Sequence, residues 1–149
     1  MPEIYFEDFA TGQEYELGSR TLDRAAIIDF ATQFDPQPIH VDEAAAEQSI
    51  YGGLIASGWQ TCTTYMRLLC DGLLLRVHSM GSPGVDELRW PAPVRPGDTL
   101  SATLRIEDVR ASRSKPDRGI VMTFGEMRNQ DGELVLTLKS AMMVRRRSA

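Results

Sequence analysis

The chain reads as one α+β domain in which a curved antiparallel sheet wraps around a long central helix. Three observations predict it. The longest apolar segment, from Ser57 to about Leu75, carries Trp59, Cys62, Tyr65, Met66, Leu68, Leu69, Cys70, Leu73 and Leu74, and a helix apolar nearly all round is buried in the fold or at a subunit interface. After Val77 the pattern changes to four strand segments joined by short turns, and short connections make them antiparallel. A sheet with one buried face must cover it, and the helix opened by Ser57 is the one segment large enough.

Each element has its own justification. Met1 to Gly12 is a lead-in that Tyr5, Phe6 and Phe9 can pin to the body. Gln13 to Thr21 is a strand with Tyr15 and Leu17 on one side. Thr21 and Asp23 are candidate N-caps for a helix to Phe34, in which Ala25, Ile27, Ile28, Ala31 and Phe34 recur at helical spacing. Pro36 ends that helix. Asp35 to His40, with Pro36 and Pro38 between them, reads as a stiff, extended loop. Asp42 caps a short helix, Glu43 to Gln48, and Gly52-Gly53 marks a turn.

Val85 to Trp90 is a strand closed by Pro91 and Pro93, and Arg95-Pro96-Gly97-Asp98 is a turn. Thr99 to Val109 alternates cleanly, with Leu100, Ala102, Leu104 and Ile106 on one face. Arg110 to Arg118 is a polar loop. Ile120, Met122 and Phe124 begin a strand to about Arg128, Asn129 to Gly132 is a hairpin turn, and the last strand runs from Leu134 to about Val144.

Composition excludes several function classes. The 149 residues, taken as one domain over 1–149, are 42% hydrophobic and 25% charged, as in ordinary globular proteins. A net charge of −5 and a pI near 5.0 give no electrostatic reason to bind nucleic acid. The one dense basic run, Arg145 to Arg147, reads as a solvated tail. No apolar run approaches the roughly 20 residues of a membrane span, and the acidic start MPEIYFEDF lacks the positive region of a signal peptide, so the cytoplasm is expected. Cys62 and Cys70 are separated by about 12 Å of helical rise, fit no zinc spacing, and are expected to be reduced and buried. No metal site is predicted.

The segment that carries chemistry is FDPQPIHVD, followed by YGGLIASG and the apolar helix. A proline-stiffened segment fixes one carboxylate and one imidazole at a defined separation, which acid–base chemistry needs. This pattern resembles the MaoC-like family of hot-dog-fold proteins, which includes the (R)-specific enoyl-CoA hydratases. Asp35, Pro38, Ile39 and His40 match the family's aspartate, proline, aliphatic and histidine positions, and ELRWPAPVRPGDTL resembles its strand, proline turn and glycine-aspartate turn. The resemblance spans about Phe6 to Val144.

The resemblance implies the hot-dog fold, a catalytic pair of Asp35 and His40, and an oxyanion contact from the Gly58 N–H, with Gln37 and Ser57 also expected at the oxyanion and substrate-binding positions. Gly58, lacking a side chain, would let a carbonyl approach closely. Two positions depart from the family's pattern: Gln37 stands where asparagine is usual, and Ser57 where many members have histidine. Ser57 reads as an N-cap, having no evident base partner. His78 reads as a helix C-cap or surface residue, and Trp59 and Trp90 as core or interface aromatics.

The expected activity is therefore addition of water to an enoyl-CoA thioester, or its removal. No cofactor is needed beyond coenzyme A as the substrate's carrier, and Arg113, Lys115 and Arg118 are candidates for its phosphates. The alternatives are a hot-dog thioesterase and a non-catalytic acyl-CoA-binding protein. The implied partners are the acyl-CoA and a second copy of the chain, in a homodimer or higher oligomer, with no nucleic acid and no membrane.

Overall fold

The computed structural model describes residues 2–148; Met1 and Ala149, the ends of the expected 1–149 domain, lie outside the described residues. Its strands are β1 (Glu14–Thr21), β2 (Val85–Arg89), β3 (Thr99–Ala111), β4 (Arg118–Arg128) and β5 (Leu134–Arg145). They form one five-stranded antiparallel sheet in the order β1-β3-β4-β5-β2. Register shifts between Glu16 and Gly18 in β1 and between Ile106 and Asp108 in β3 bend the sheet, as bulges do.

The helices are α1 (Arg24–Phe34), α2 (Pro38–Val41), α3 (Glu43–Glu47) and α4 (Gly58–Gly72). Asp23 caps α1 by accepting from Ala26 N–H at 2.8 Å, and Asp42 caps α3 by accepting from Ala45 N–H at 3.2 Å. α4 lies in the bend of the sheet. The core forms between them from Leu17, Tyr65, Leu68, Leu100, Leu104, Ile106, Val121, Met127 and Leu136. The predicted turn at Arg95–Asp98 is locked because buried Asp98 accepts from Arg95 N–H at 2.8 Å and Gln130 Nε2 at 2.9 Å. Among the described residues no helix is long and apolar enough to cross a membrane.

Several expectations are corrected. α4 ends at Gly72, not Leu75, and a separate 3-10 turn follows at Leu74–Arg76. α4 does not bury its apolar residues alone: Gln60, Thr61 and Thr64 are buried, whereas Trp59 is 58% and Met66 is 47% exposed. Internal bonds offset much of the cost of burying these polar side chains, although Gln60 Oε1 has no partner among the described residues. Thr64 Oγ1 donates to the Gln60 carbonyl at 2.8 Å, and Gln60 Nε2 to the Ala26 carbonyl at 3.0 Å. Cys62 and Cys70 are free but only half-buried.

In β4 it is Val121 and Met127 that are fully buried; Ile120, Met122 and Phe124 lie on the opposite parity and are half-buried. His78 caps no helix but stacks on the Tyr5 ring at 4.0 Å. The basic run is not a free tail: Arg146 pairs with Glu7 at 3.3 Å and Arg147 with Asp8 at 2.6 Å, tying the last strand to the lead-in.

Candidate active site

Asp35 is placed by the end of α1. Its N–H donates to the Ala31 carbonyl at 2.8 Å, and its backbone (φ −154, ψ 68) leaves the helix before Pro36. The next stretch is not the extended loop the prolines suggested. Pro38 to Val41 form one helical turn, with Gln37 as the extended N-cap and Pro38 in the first position. Proline fits there because its missing N–H would have had no helical acceptor and its φ is already helical. The turn carries His40 inward, to 4% exposure.

The segment preceding α4 completes the frame. Ile55 N–H donates to the Ile39 carbonyl at 3.2 Å, and Ala56 N–H to the Val94 carbonyl at 2.9 Å. His40 Nδ1 lies 2.8 Å from the Ile55 carbonyl oxygen. A carbonyl can only accept, so Nδ1 carries the proton, and a neutral His40 has its lone pair on Nε2. That Nε2 is 3.3 Å from Asp35 Oδ2.

Asp35 is held from three sides. Gln37 Nε2 donates to Oδ1 at 2.7 Å and Ser57 Oγ to Oδ2 at 2.7 Å. The Gln37 amide, then the Ser57 hydroxyl, then His40 hold its carboxyl below the ordinary aspartate range, with burial opposing. It is therefore a carboxylate at neutral pH. Ser57, fully buried, also accepts from Trp59 N–H at 3.3 Å, so it caps α4 as expected and positions Asp35 as well.

Gly58 opens α4, and its N–H has no acceptor among the described residues. The structure adds a second reason for a glycine here. A Cβ at Gly58 would lie 2.5 Å from Trp90 Cε2, so the space over the glycine is filled by the Trp90 ring. Trp90 in turn meets Trp59 edge to face at 5.4 Å. With Trp59 58% and Trp90 42% exposed, these are rim residues, not core aromatics.

These groups line a cavity of about 470 Å³ that includes Asp35, Gln37, His40, Gly58, Trp59 and Trp90. Tyr51 and the Pro91–Val94 segment also line it, and neither stands out by spacing. The Trp-Pro-Ala-Pro run, with two prolines fixing its backbone, is the one signal that could have flagged that wall. Arg113, Lys115 and Arg118 are not brought to this cavity within the chain. They lie at the β3–β4 connection, and Arg118 is paired with Asp117 at 2.8 Å. Among the described residues no cluster of three or more His, Cys, Asp or Glu side chains could hold a metal ion.

The family model described as "MaoC like domain" matches residues 8–123. An (R)-specific enoyl-CoA hydratase from Rhodospirillum rubrum is 29% identical over 147 residues, covering 94% of this chain and 91% of the relative. A 3-hydroxybutyryl-CoA dehydratase from Methylorubrum extorquens is 26% identical over 141 residues, covering 91% and 87%. The crystal structure of a MaoC-like dehydratase from Rhodospirillum rubrum superposes with a TM-score of 0.88 at 40% identity, covering 99% of this chain and all of that one. The antiparallel sheet around a central helix is the hot-dog fold.

Proposed function

Because the chain belongs to the MaoC-like domain family, we propose that it reversibly adds water across the α,β double bond of an enoyl-CoA thioester. One observation carries this reading: His40 Nε2 and Asp35 Oδ2 are two acceptors 3.3 Å apart on the cavity wall. A water beside them can donate one O–H to each, leaving its oxygen lone pairs facing the cavity. In hydration one proton of that water passes to the pair as its oxygen bonds the β-carbon. The pair returns a proton to the α-carbon, so a C–O and a C–H bond replace the π bond. Dehydration reverses these steps. The formal base is a property of the coupled pair.

Negative charge grows on the thioester oxygen as the α-carbon becomes enolate-like. The unpartnered Gly58 N–H, at the positive end of the 15-residue α4, is the donor suited to it. Gln37 and Ser57 act as positioning residues for Asp35. The reaction is redox-neutral, and coenzyme A enters as the carrier of the acyl group. The chain acts as a homodimer or higher oligomer. In support, β2 leaves a sheet edge open and α4 leaves Trp59 and Met66 exposed. Arg113, Lys115 and Arg118 serve the coenzyme A phosphates only if one protomer brings its β3–β4 connection to the cavity of the other.

The test is loss of enoyl-thioester absorbance with crotonyl-CoA and longer, branched and dicarboxylic enoyl-CoAs, for wild type, Asp35→Asn and His40→Gln. Turnover by wild type that both folded variants lose is expected. Release of free thiol would instead identify a thioesterase. Binding without turnover, insensitive to both substitutions, would identify a non-catalytic acyl-CoA-binding protein.

A further inference from the structure

The face of α4 that begins at Gly58 continues through Cys62, Met66 and Leu69, which follow at helical spacing. Two cavities lie along that face. Gly58 lines the Asp35–His40 cavity of about 470 Å³. Cys62, Met66 and Leu69 line a second, of about 380 Å³, between α4 and the sheet. Leu104 and Leu138 give the sheet side of that second cavity an apolar wall.

Trp90 stands where the two meet. Its indole rests on Gly58: a Cβ there would lie 2.5 Å from Cε2 and 2.7 Å from Cζ2. One helical turn further on, the same indole lies against the Cys62 thiol. The ring therefore covers the first turn of α4 and ends where the second cavity begins. Several contacts keep it there. Trp59 meets it edge to face at 5.4 Å. Trp90 directly follows the last residue of β2, Arg89, which pairs with Thr137 of β5. Pro91 comes next, and a residue before proline is held in extended backbone.

We infer that Trp90 is a specificity-determining residue: its indole is a partition that confines the acyl group to the Asp35–His40 cavity and shuts it out of the apolar space behind, so the protein selects short acyl chains. This rests on the enoyl-thioester reading above. The selection is one of space. A methylene that passes from water into an apolar cavity is worth roughly fourfold in affinity. Behind a closed partition, added methylenes find no such cavity and earn nothing. With the indole removed, the face from Gly58 to Leu69 becomes one continuous channel.

Calorimetric binding of saturated acyl-CoAs, from butyryl to dodecanoyl, tests this without requiring turnover. Wild-type affinity is expected to stop rising after the first few carbons. Trp90→Ala is expected to raise the octanoyl-to-butyryl affinity ratio at least tenfold. Trp90→Phe keeps a ring over Gly58 but is too short to reach Cys62, and should raise the ratio less. Circular dichroism and thermal unfolding establish that each variant is folded; if Trp90→Ala is not, Trp90→Phe decides. The inference is overturned if wild type binds dodecanoyl-CoA tighter than butyryl-CoA by the full increment per methylene, if it binds no member of the series, or if the folded variants keep the wild-type ratio. Wild-type hydration of crotonyl-CoA is followed in parallel. Its absence would remove the hydratase reading, while the binding ratios would still decide whether Trp90 is the partition.

Discussion

Ser57→Ala separates the two duties of one buried hydroxyl. Ser57 Oγ donates to the Asp35 carboxylate at 2.7 Å and accepts from Trp59 N–H at 3.3 Å. A hydrogen bond to a charged group contributes about 1.5–3 kcal/mol, and loss of a serine N-cap costs about 0.5–2 kcal/mol. The variant should lose about 2–5 kcal/mol, a fall of roughly 4–20 °C in Tm at this chain length. The two parts separate by pH. Asp35 is held below its ordinary pKa, so its contribution is fully present above the unfolded pKa and is lost as pH falls through the folded one. Removing Ser57 raises the folded value toward the unfolded one. The stability gap between wild type and variant should therefore be widest near neutrality and shrink on the acid side of the Asp35 titration, leaving the capping part. Urea unfolding across that range measures it. If Asp35 must be held for turnover, hydration of the best enoyl-CoA should slow by about 10–150-fold, the same 1.5–3 kcal/mol expressed as a rate. A gap that does not change with pH, together with an unaltered rate, would refute the role assigned to the Ser57–Asp35 bond.

Gly58→Ala places a Cβ 2.5 Å from Trp90 Cε2, so the indole must move and the Trp59–Trp90 contact at 5.4 Å must break; a loss of about 1–3 kcal/mol and an altered near-UV circular dichroism signal are expected. Gly72→Ala sets a Cβ 2.8 Å from the Leu17 backbone, where α4 meets β1, and denaturant unfolding should show a comparable loss with no direct effect on the cavity. Arg113→Gln with Lys115→Gln should weaken acyl-CoA binding at low salt and less at high salt, read by calorimetry, if the dimer carries that turn to the neighbouring cavity. Light scattering on the wild type should give at least twice the chain mass of 16.6 kDa.

Local signals reported local structure well. Asp23 three residues before Ala26, the alternation of Leu100 to Ile106, and Asn129 to Gly132 each produced the element they predicted, because the forces that set them act within a few residues. Pro38 misled because the same ring that breaks a helix in its interior starts one at its first position. α4 misled because counting apolar residues assumes that polar ones stay outside. Gln60 and Thr64 are inside, with Gln60 Nε2 bonded to the Ala26 carbonyl and Thr64 Oγ1 to the Gln60 carbonyl, while Gln60 Oε1 has no partner among the described residues. At the candidate site, Asp35 and His40 were legible from five-residue spacing, whereas the bond from Ser57 to Asp35 spans 22 residues and the ring of Trp90 over Gly58 spans 32. Such pairings exist only once the sheet has brought α1, α4 and the end of β2 together.

α4 is held at three points by close approaches that no larger residue would permit. Trp90 lies on Gly58 at its start, the Tyr65 hydroxyl meets Gly125 near its middle, and Gly72 rests on the Leu17 backbone at its end. Ser57 adds a fourth hold by joining the helix N-terminus to Asp35. A helix fixed in this way cannot slide or tilt without lifting a ring off a glycine or breaking a bond to a carboxylate. The Gly58 N–H then keeps a constant position relative to the Asp35 carboxylate, which Ser57 ties to the same helix end. Under the enoyl-thioester reading, that position sets how well the donor meets the thioester oxygen as water is added. Gly72→Ala, at the opposite end of α4 from the candidate site, should therefore slow hydration of crotonyl-CoA less than Ser57→Ala does, and only through loosening of the helix. A loss of rate as large as that of Ser57→Ala would mean that the far end of α4, rather than the Ser57 and Trp90 contacts, fixes the Gly58 N–H.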